Sequence, residues 1–116
     1  MSDVFSELTQ VLADRRHASP DTSYVAQLHH RGINKILEKV GEEATEMILA
    51  AKDASLQAVP SDAECTEVIK ETADLWFHSL VALSHLGISL DDIEQELGRR
   101  FGVSGLDEKA SRTRTS

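Results

Sequence analysis

An all-α fold, an antiparallel bundle of four to five helices, is what this sequence predicts. Apolar residues recur at three- and four-residue spacing along every long segment, the mark of helices with a buried face. Aromatic residues make up only 4% of the 116-residue chain, and β-branched runs are few, which disfavours a sandwich or barrel. Capping residues and glycines stand at the ends of the periodic segments, where helices start and stop.

The first helix carries Val4, Phe5, Leu8, Val11 and Leu12 as its stripe and should end near Arg15–Arg16, before Ser19-Pro20-Asp21. Thr22 or Ser23 is placed to cap a short second helix through Tyr24, Val25 and Leu28, stopped by Gly32. The third, from about Ile33 to Lys52, sets Ile36, Val40, Ala44, Met47, Ile48 and Ala51 on one face. At 1.5 Å per residue it would be roughly 30 Å long. After the loop Asp53–Pro60, Ser61-Asp62-Ala63-Glu64 reads as a capping box. It opens a fourth helix to about Leu86, with Gly87 just past its end. Val68, Ile69, Leu75, Trp76, Phe77, Leu80, Val81, Leu83 and Leu86 cover most of that helix's circumference, so it is expected to be the central and most buried rod. Ser89 with Asp92 repeats the cap pattern and opens a fifth helix carrying Leu90, Ile93, Leu97 and Phe101. From about residue 103 the chain turns polar, and this tail is expected to order only against a partner or ligand.

By its length the chain is expected to be one domain, residues 1–116, large enough for a real core. A net charge of −8 argues against nucleic acid as a partner, because phosphate backbones attract Lys/Arg-rich surfaces. A single nucleotide stays compatible, since a metal can supply positive charge locally. No segment approaches the roughly 20 apolar residues of a membrane span. Asp3 and Glu7 stand where a secretory leader would be basic, so a cytoplasmic location is expected. The one cysteine, Cys65, can form neither an internal disulfide nor a cysteine-based zinc site. It is expected to be a small buried hydrophobe.

The chemistry is suggested by acids on the two longest helices. Glu43-x-x-Glu46 and Glu71-x-x-Asp74 each place two carboxylates on one helical face, with Glu42 beside the first pair. Glu67, Glu71, Asp74 and His78 form one polar stripe along the otherwise apolar fourth helix. Folded back on each other, the two helices would bring four or five carboxylates together, a donor set suited to Mg²⁺ or Mn²⁺. The Glu-x-x-His pattern of di-iron bundles and the His-Glu-x-x-His of zinc proteases are both absent. The plainer reading is that these acids are solvated and neutralised by Lys35, Lys39 and Lys70. It is weakest for Glu71 and Asp74, which sit beside Leu75 and Trp76, because an unpaired buried charge costs on the order of several kcal/mol. From the residues alone both readings remain open. His78 is expected to be a hydrogen-bond partner rather than a ligand, and His17, His29 and His30 are expected at exposed turns. An open Mg²⁺ site suits a polyphosphate. With no Walker-type glycine loop in the chain, phosphates would be gripped by metal and Lys/Arg.

Glu42-Glu43-x-x-Glu46 followed by Glu71-x-x-Asp74 is similar to the signature of the all-α nucleotide pyrophosphohydrolases. Further stretches match, among them Lys35-Ile36-x-x-Lys39-Val40-Gly41 and Gly87-Ile88-Ser89-Leu90-Asp91-Asp92, and two narrow the resemblance: Asp21-Thr22-Ser23-Tyr24 and the tail Gly105-Leu106-Asp107-Glu108-Lys109-Ala110-Ser111-Arg112. From about residue 4 to residue 112 the chain resembles the phosphoribosyl-ATP pyrophosphohydrolase family of histidine biosynthesis. That resemblance implies Mg²⁺-assisted hydrolysis of the α–β phosphoanhydride of phosphoribosyl-ATP, with Mn²⁺ as a possible substitute. It implies metal binding by Glu43, Glu46, Glu71 and Asp74, with Glu42 as a further acid in a catalytic set of five. It also implies phosphate contact by Lys35 and Lys39, and a homodimer whose shared core suits the all-round apolar fourth helix. Many relatives are fused to a cyclohydrolase, so a stand-alone form is expected here. Trp76-Phe77-His78 departs from the Leu-Tyr-His common among relatives, which should affect packing more than chemistry. Two alternatives are a house-cleaning pyrophosphohydrolase of another nucleoside triphosphate and a helical dimer that serves only as a binding module.

Overall fold

The computed structural model describes residues 2–101; the polar tail and its 105–112 motif lie outside the described residues. Among the described residues there are five helices and no strands: α1 (Ser2–Arg15), α2 (Tyr24–Arg31), α3 (Ile33–Ser55), α4 (Asp62–His85) and α5 (Leu90–Phe101). The all-α bundle is what the periodicity required. The main boundary difference is that α3 continues past Lys52 to Ser55, because Ala54 is buried and tertiary packing carries the helix on.

Local chemistry sets the helix ends. Ser23 rather than Thr22 caps α2, its hydroxyl accepting from the Ala26 amide at 3.2 Å. Gly32 then closes α2 and opens α3: its amide donates to the Leu28 carbonyl, and its own carbonyl accepts from Ile36. A φ of 95° at this junction is why glycine stands there. At the start of α4 the Ser61 hydroxyl accepts from the Glu64 amide at 3.1 Å, and the Glu64 carboxylate accepts from the Ser61 amide at 2.8 Å. The helix ends in a Schellman arrangement, with the Ile88 amide on the Leu83 carbonyl at 2.9 Å and the Gly87 amide on that of Ser84 at 3.1 Å. Ser61→Ala, which removes one side of the capping box, is expected to lower stability by about 1 kcal/mol. A shift of the urea midpoint at unchanged slope would register it.

Helices α3 and α4 form an antiparallel hairpin. Glu43 stands near His78, Glu46 near Glu71, and Ala54 shares a surface with Cys65, so partners descend along α4 as α3 ascends. The core comprises Leu12, Val25, Leu28, Ile36, Val81 and Ala82, flanked by Leu8, Phe77 and Leu80. It gathers where α1, α2, the first half of α3 and the second half of α4 meet. Burying one side chain such as Ile36 contributes about 1.5–3 kcal/mol.

The structure departs from three expectations. Within one chain α4 is not buried all round: Ile69 is 67% and Trp76 49% exposed. The other helices cover only one side of it, and α5 has no buried residue. Cys65 is exposed as well, at a surface it shares with Ala51, Ala54 and Ser55 of α3 and Pro60 of the preceding loop. His29 is half-buried instead of exposed, with its Nδ1 2.9 Å from the Nδ1 of His85. Beside this pair Arg16 donates to the Ser84 and His85 carbonyls, placing a cation at the negative end of α4.

Candidate active site

The register of α3 against α4 decides which acids meet. Glu43 and Glu46 lie one turn apart on α3, and Glu71 stands opposite on α4. One carboxylate oxygen from each lies within 4.8 Å of the others. Glu43 is buried, Glu71 half-buried and Glu46 exposed, so the cluster has a closed floor and an open mouth.

Crowding of this kind is electrostatically unfavourable. Two ionised carboxylates have no proton to offer each other, and the Oε2 atoms of Glu43 and Glu71 are buried without a hydrogen-bond partner. Protonating one acid supplies the missing donor. Accordingly the hydrogen bond to Glu46, then burial, then the charges of Glu46 and Glu67 push Glu71 up to about 7. Burial is the first cause of the raised Glu43, followed by its hydrogen bond to Glu46 and the charges of Glu46 and Asp74, with His78 opposing. A hard divalent cation held among the three carboxylates would relieve the repulsion. The donor set therefore fits Mg²⁺ or Mn²⁺.

The remaining acids stand differently. Asp74 is exposed and outside the group of three, though its charge reaches both Glu43 and Tyr24. Glu42 accepts from Lys39 Nζ at 3.0 Å, and this contact holds its carboxyl below the usual range. Lys35 makes a longer 3.4 Å contact with Glu38. Each lysine thus neutralises an acid of its own helix, as the plainer reading had it. Exposed pairs of this kind are worth at most about 1 kcal/mol, so a phosphate could displace the carboxylate.

Lys35 and Lys39 also line a cavity of about 170 Å³ with Tyr24, Gln27, Leu28 and Arg31. Tyr24, Gln27 and Arg31 escaped the sequence reading as site residues. Their three- and four-residue spacing on α2 was the available signal, since it puts them on one face. His78 is a hydrogen-bond partner as expected, of a backbone carbonyl and a phenol. Its Nδ1 donates to the Asp74 carbonyl at 2.9 Å and its Nε2 meets the Tyr24 hydroxyl at 2.8 Å. Burial raises Tyr24 most, Lys39 opposes, and the charges of Glu43, Glu42 and Asp74 add to the rise.

The family model of phosphoribosyl-ATP pyrophosphohydrolase matches residues 5–101. The chain belongs to this family. The match runs from α1 to the end of α5, so every helix that positions the carboxylates lies within it. Membership in the phosphoribosyl-ATP pyrophosphohydrolase family implies a pyrophosphohydrolase of histidine biosynthesis, and the family is one of divalent-metal-assisted hydrolases. Among the described residues no helix is long and apolar enough to cross a membrane.

Proposed function

We propose that the chain hydrolyses the α–β phosphoanhydride of phosphoribosyl-ATP to phosphoribosyl-AMP and pyrophosphate, with Mg²⁺ held by Glu43, Glu46, Glu71 and Asp74. The supporting observation is the trio of converging carboxylates, two of them with buried oxygens that lack a partner, inside a match to this family. When bound, the cation supplies positive charge that neutralises the polyphosphate and polarises the anhydride; Mn²⁺ suits the same donors. Lys35 and Lys39 hold substrate phosphate, exchanging carboxylates of their own helix for phosphate oxygens in charge-assisted hydrogen bonds. Glu42, released from Lys39 by that exchange, is a further acid at the rim. Buried Glu43 closes one side of the site, while exposed Glu46 and Asp74 leave the other side open to substrate and to the attacking water. A carboxylate of the cluster accepts the proton that this water loses.

A homodimer belongs to the same reading. Ile48, Leu49, Ile69 and Trp76 leave a large apolar area of α3 and α4 exposed in one chain, and a second copy would complete that core. So do a single domain, a cytoplasmic setting, and the absence of a nucleic-acid or membrane partner. The test is turnover of phosphoribosyl-ATP against ATP, dATP and other nucleoside triphosphates at fixed Mg²⁺. Phosphoribosyl-ATP is expected to be preferred by on the order of 10²-fold or more in kcat/KM. A preference for plain deoxynucleoside triphosphates would overturn the substrate and favour a house-cleaning role.

A further inference from the structure

His78 is buried beside the acids, yet the hydrolysis described above gives it no task. Both of its ring nitrogens are committed. Nδ1 lies 2.9 Å from the Asp74 carbonyl oxygen, which can only accept, so Nδ1 carries the proton. Nε2 is engaged as well, 2.8 Å from the Tyr24 hydroxyl. No lone pair is left for a water, so the ring is not placed to act as a base.

What this ring faces is Glu43. Its Nδ1 stands 3.9 Å from Glu43 Oε1, too far for a hydrogen bond but near enough to turn a positive edge toward the carboxylate. Glu43 needs such a neighbour, because Glu46 and Asp74 repel it and its Oε2 has no partner. Tyr24 and Phe77 meet the imidazole edge-on, at centroid distances of 5.8 and 5.2 Å, and so fix its plane. The three residues Tyr24, His78 and Glu43 come from α2, α4 and α3, the helices that frame the site.

Resting on the metal-site reading above, we infer that Tyr24 and His78 are a positioning pair that keeps the Glu43 carboxylate aimed for divalent-cation binding. Tyr24 acts only through His78: its hydroxyl stops the ring from turning, and the fixed ring walls off the rotamers that would carry Glu43 away from Glu46 and Glu71. Groups hydrogen-bonded to metal ligands typically cost about 10- to 100-fold in metal affinity when removed, and a contact without that hydrogen bond belongs at the lower end of this range or below it.

The experiment is calorimetric titration of Mn²⁺ into the full chain, well below its melting transition, for wild type, Tyr24→Phe, His78→Leu and the double variant. Tyr24→Phe removes one oxygen from a half-exposed ring that keeps its contact with Phe77, so the fold is retained. Its Mn²⁺ affinity is expected to drop by about 3- to 10-fold, with the melting temperature of the metal-free chain little changed. In the His78→Leu background the tyrosine substitution is expected to add nothing. Wild-type affinity in Tyr24→Phe, or additive losses in the double variant, would overturn the pair while leaving the metal site standing. A wild type that binds no Mn²⁺ would overturn the metal site and the pair together.

Discussion

Glu71→Gln is expected to reduce turnover by on the order of 10³-fold while raising the melting temperature of the metal-free chain. The two effects have one cause. Glu71 lies with Glu43 and Glu46 in a group whose ligand oxygens are within 4.8 Å of one another, and its Oε2 is buried without a partner. An amide of the same shape removes one negative charge from that group. It also offers Glu46 a permanent donor, which the carboxyl provides only when protonated. Both changes favour the folded chain in the absence of metal. With Mg²⁺ present the same change deletes an anionic ligand, and activity is lost. Glu46→Ala and Asp74→Ala are expected to act in the same direction, nearly abolishing turnover with the fold intact. Steady-state kinetics at saturating Mg²⁺ and melting curves in chelator measure the two halves separately. Wild-type turnover in Glu71→Gln would remove that residue from the site. A lower melting temperature in chelator would show that the carboxylates do not repel as their geometry requires.

The opposite signs of those two effects were partly legible in the sequence, because a residue that opposes folding is hard to explain by packing. Acids at helical spacing on two apolar rods announced a shared face, and the Ser61–Glu64 box and Gly87 announced where the second rod begins and ends. Which acids meet was not legible. That depends on the sliding register of α3 on α4, which brings Glu71 to both Glu43 and Glu46 and sets His78 3.9 Å from Glu43. The contact of Tyr24 with His78 spans 54 residues of chain, beyond the reach of any local pattern. Burial failed in a different way. Ile69, Trp76 and Cys65 have side chains suited to a core, but apolar character does not say which chain supplies the cover. Among the described residues their cover is incomplete, even where the Phe5 ring lies 5.5 Å from that of Trp76, so all three are exposed.

In the metal-free chain stability is expected to fall as the pH rises from about 6.5 to 8, and Mg²⁺ is expected to cancel most of that fall. Glu71 titrates at about 7 when folded against an ordinary value of 4.5. Between those values the folded chain keeps a proton that the unfolded chain has released. The associated stability is fully present below 4.5 and is lost as the pH climbs through about 7. Glu43, raised chiefly by burial, acts in the same direction. Glu96, held down to about 2 by its hydrogen bonds to Arg99 and Arg100, has its whole effect at lower pH. His29 works the other way: burial, with Arg16, His85 and His17, lowers it from 6.5, so it adds stability as the pH rises toward that value. The window above 6.5 is therefore where the carboxylate signal stands alone. Divalent cations compete with protons for the same oxygens, so Mg²⁺ should stabilise more at pH 8 than at pH 6.5, by RT ln(1 + [Mg²⁺]/Kd) once the acids are ionised. Melting temperatures in chelator and in Mg²⁺, at several pH values across this window, test the claim directly. Glu71→Gln supplies the control, since its metal-free slope should be markedly flatter. Parallel slopes with and without Mg²⁺, or an unaltered slope in Glu71→Gln, would mean that the strain of this cluster is not carried by Glu71.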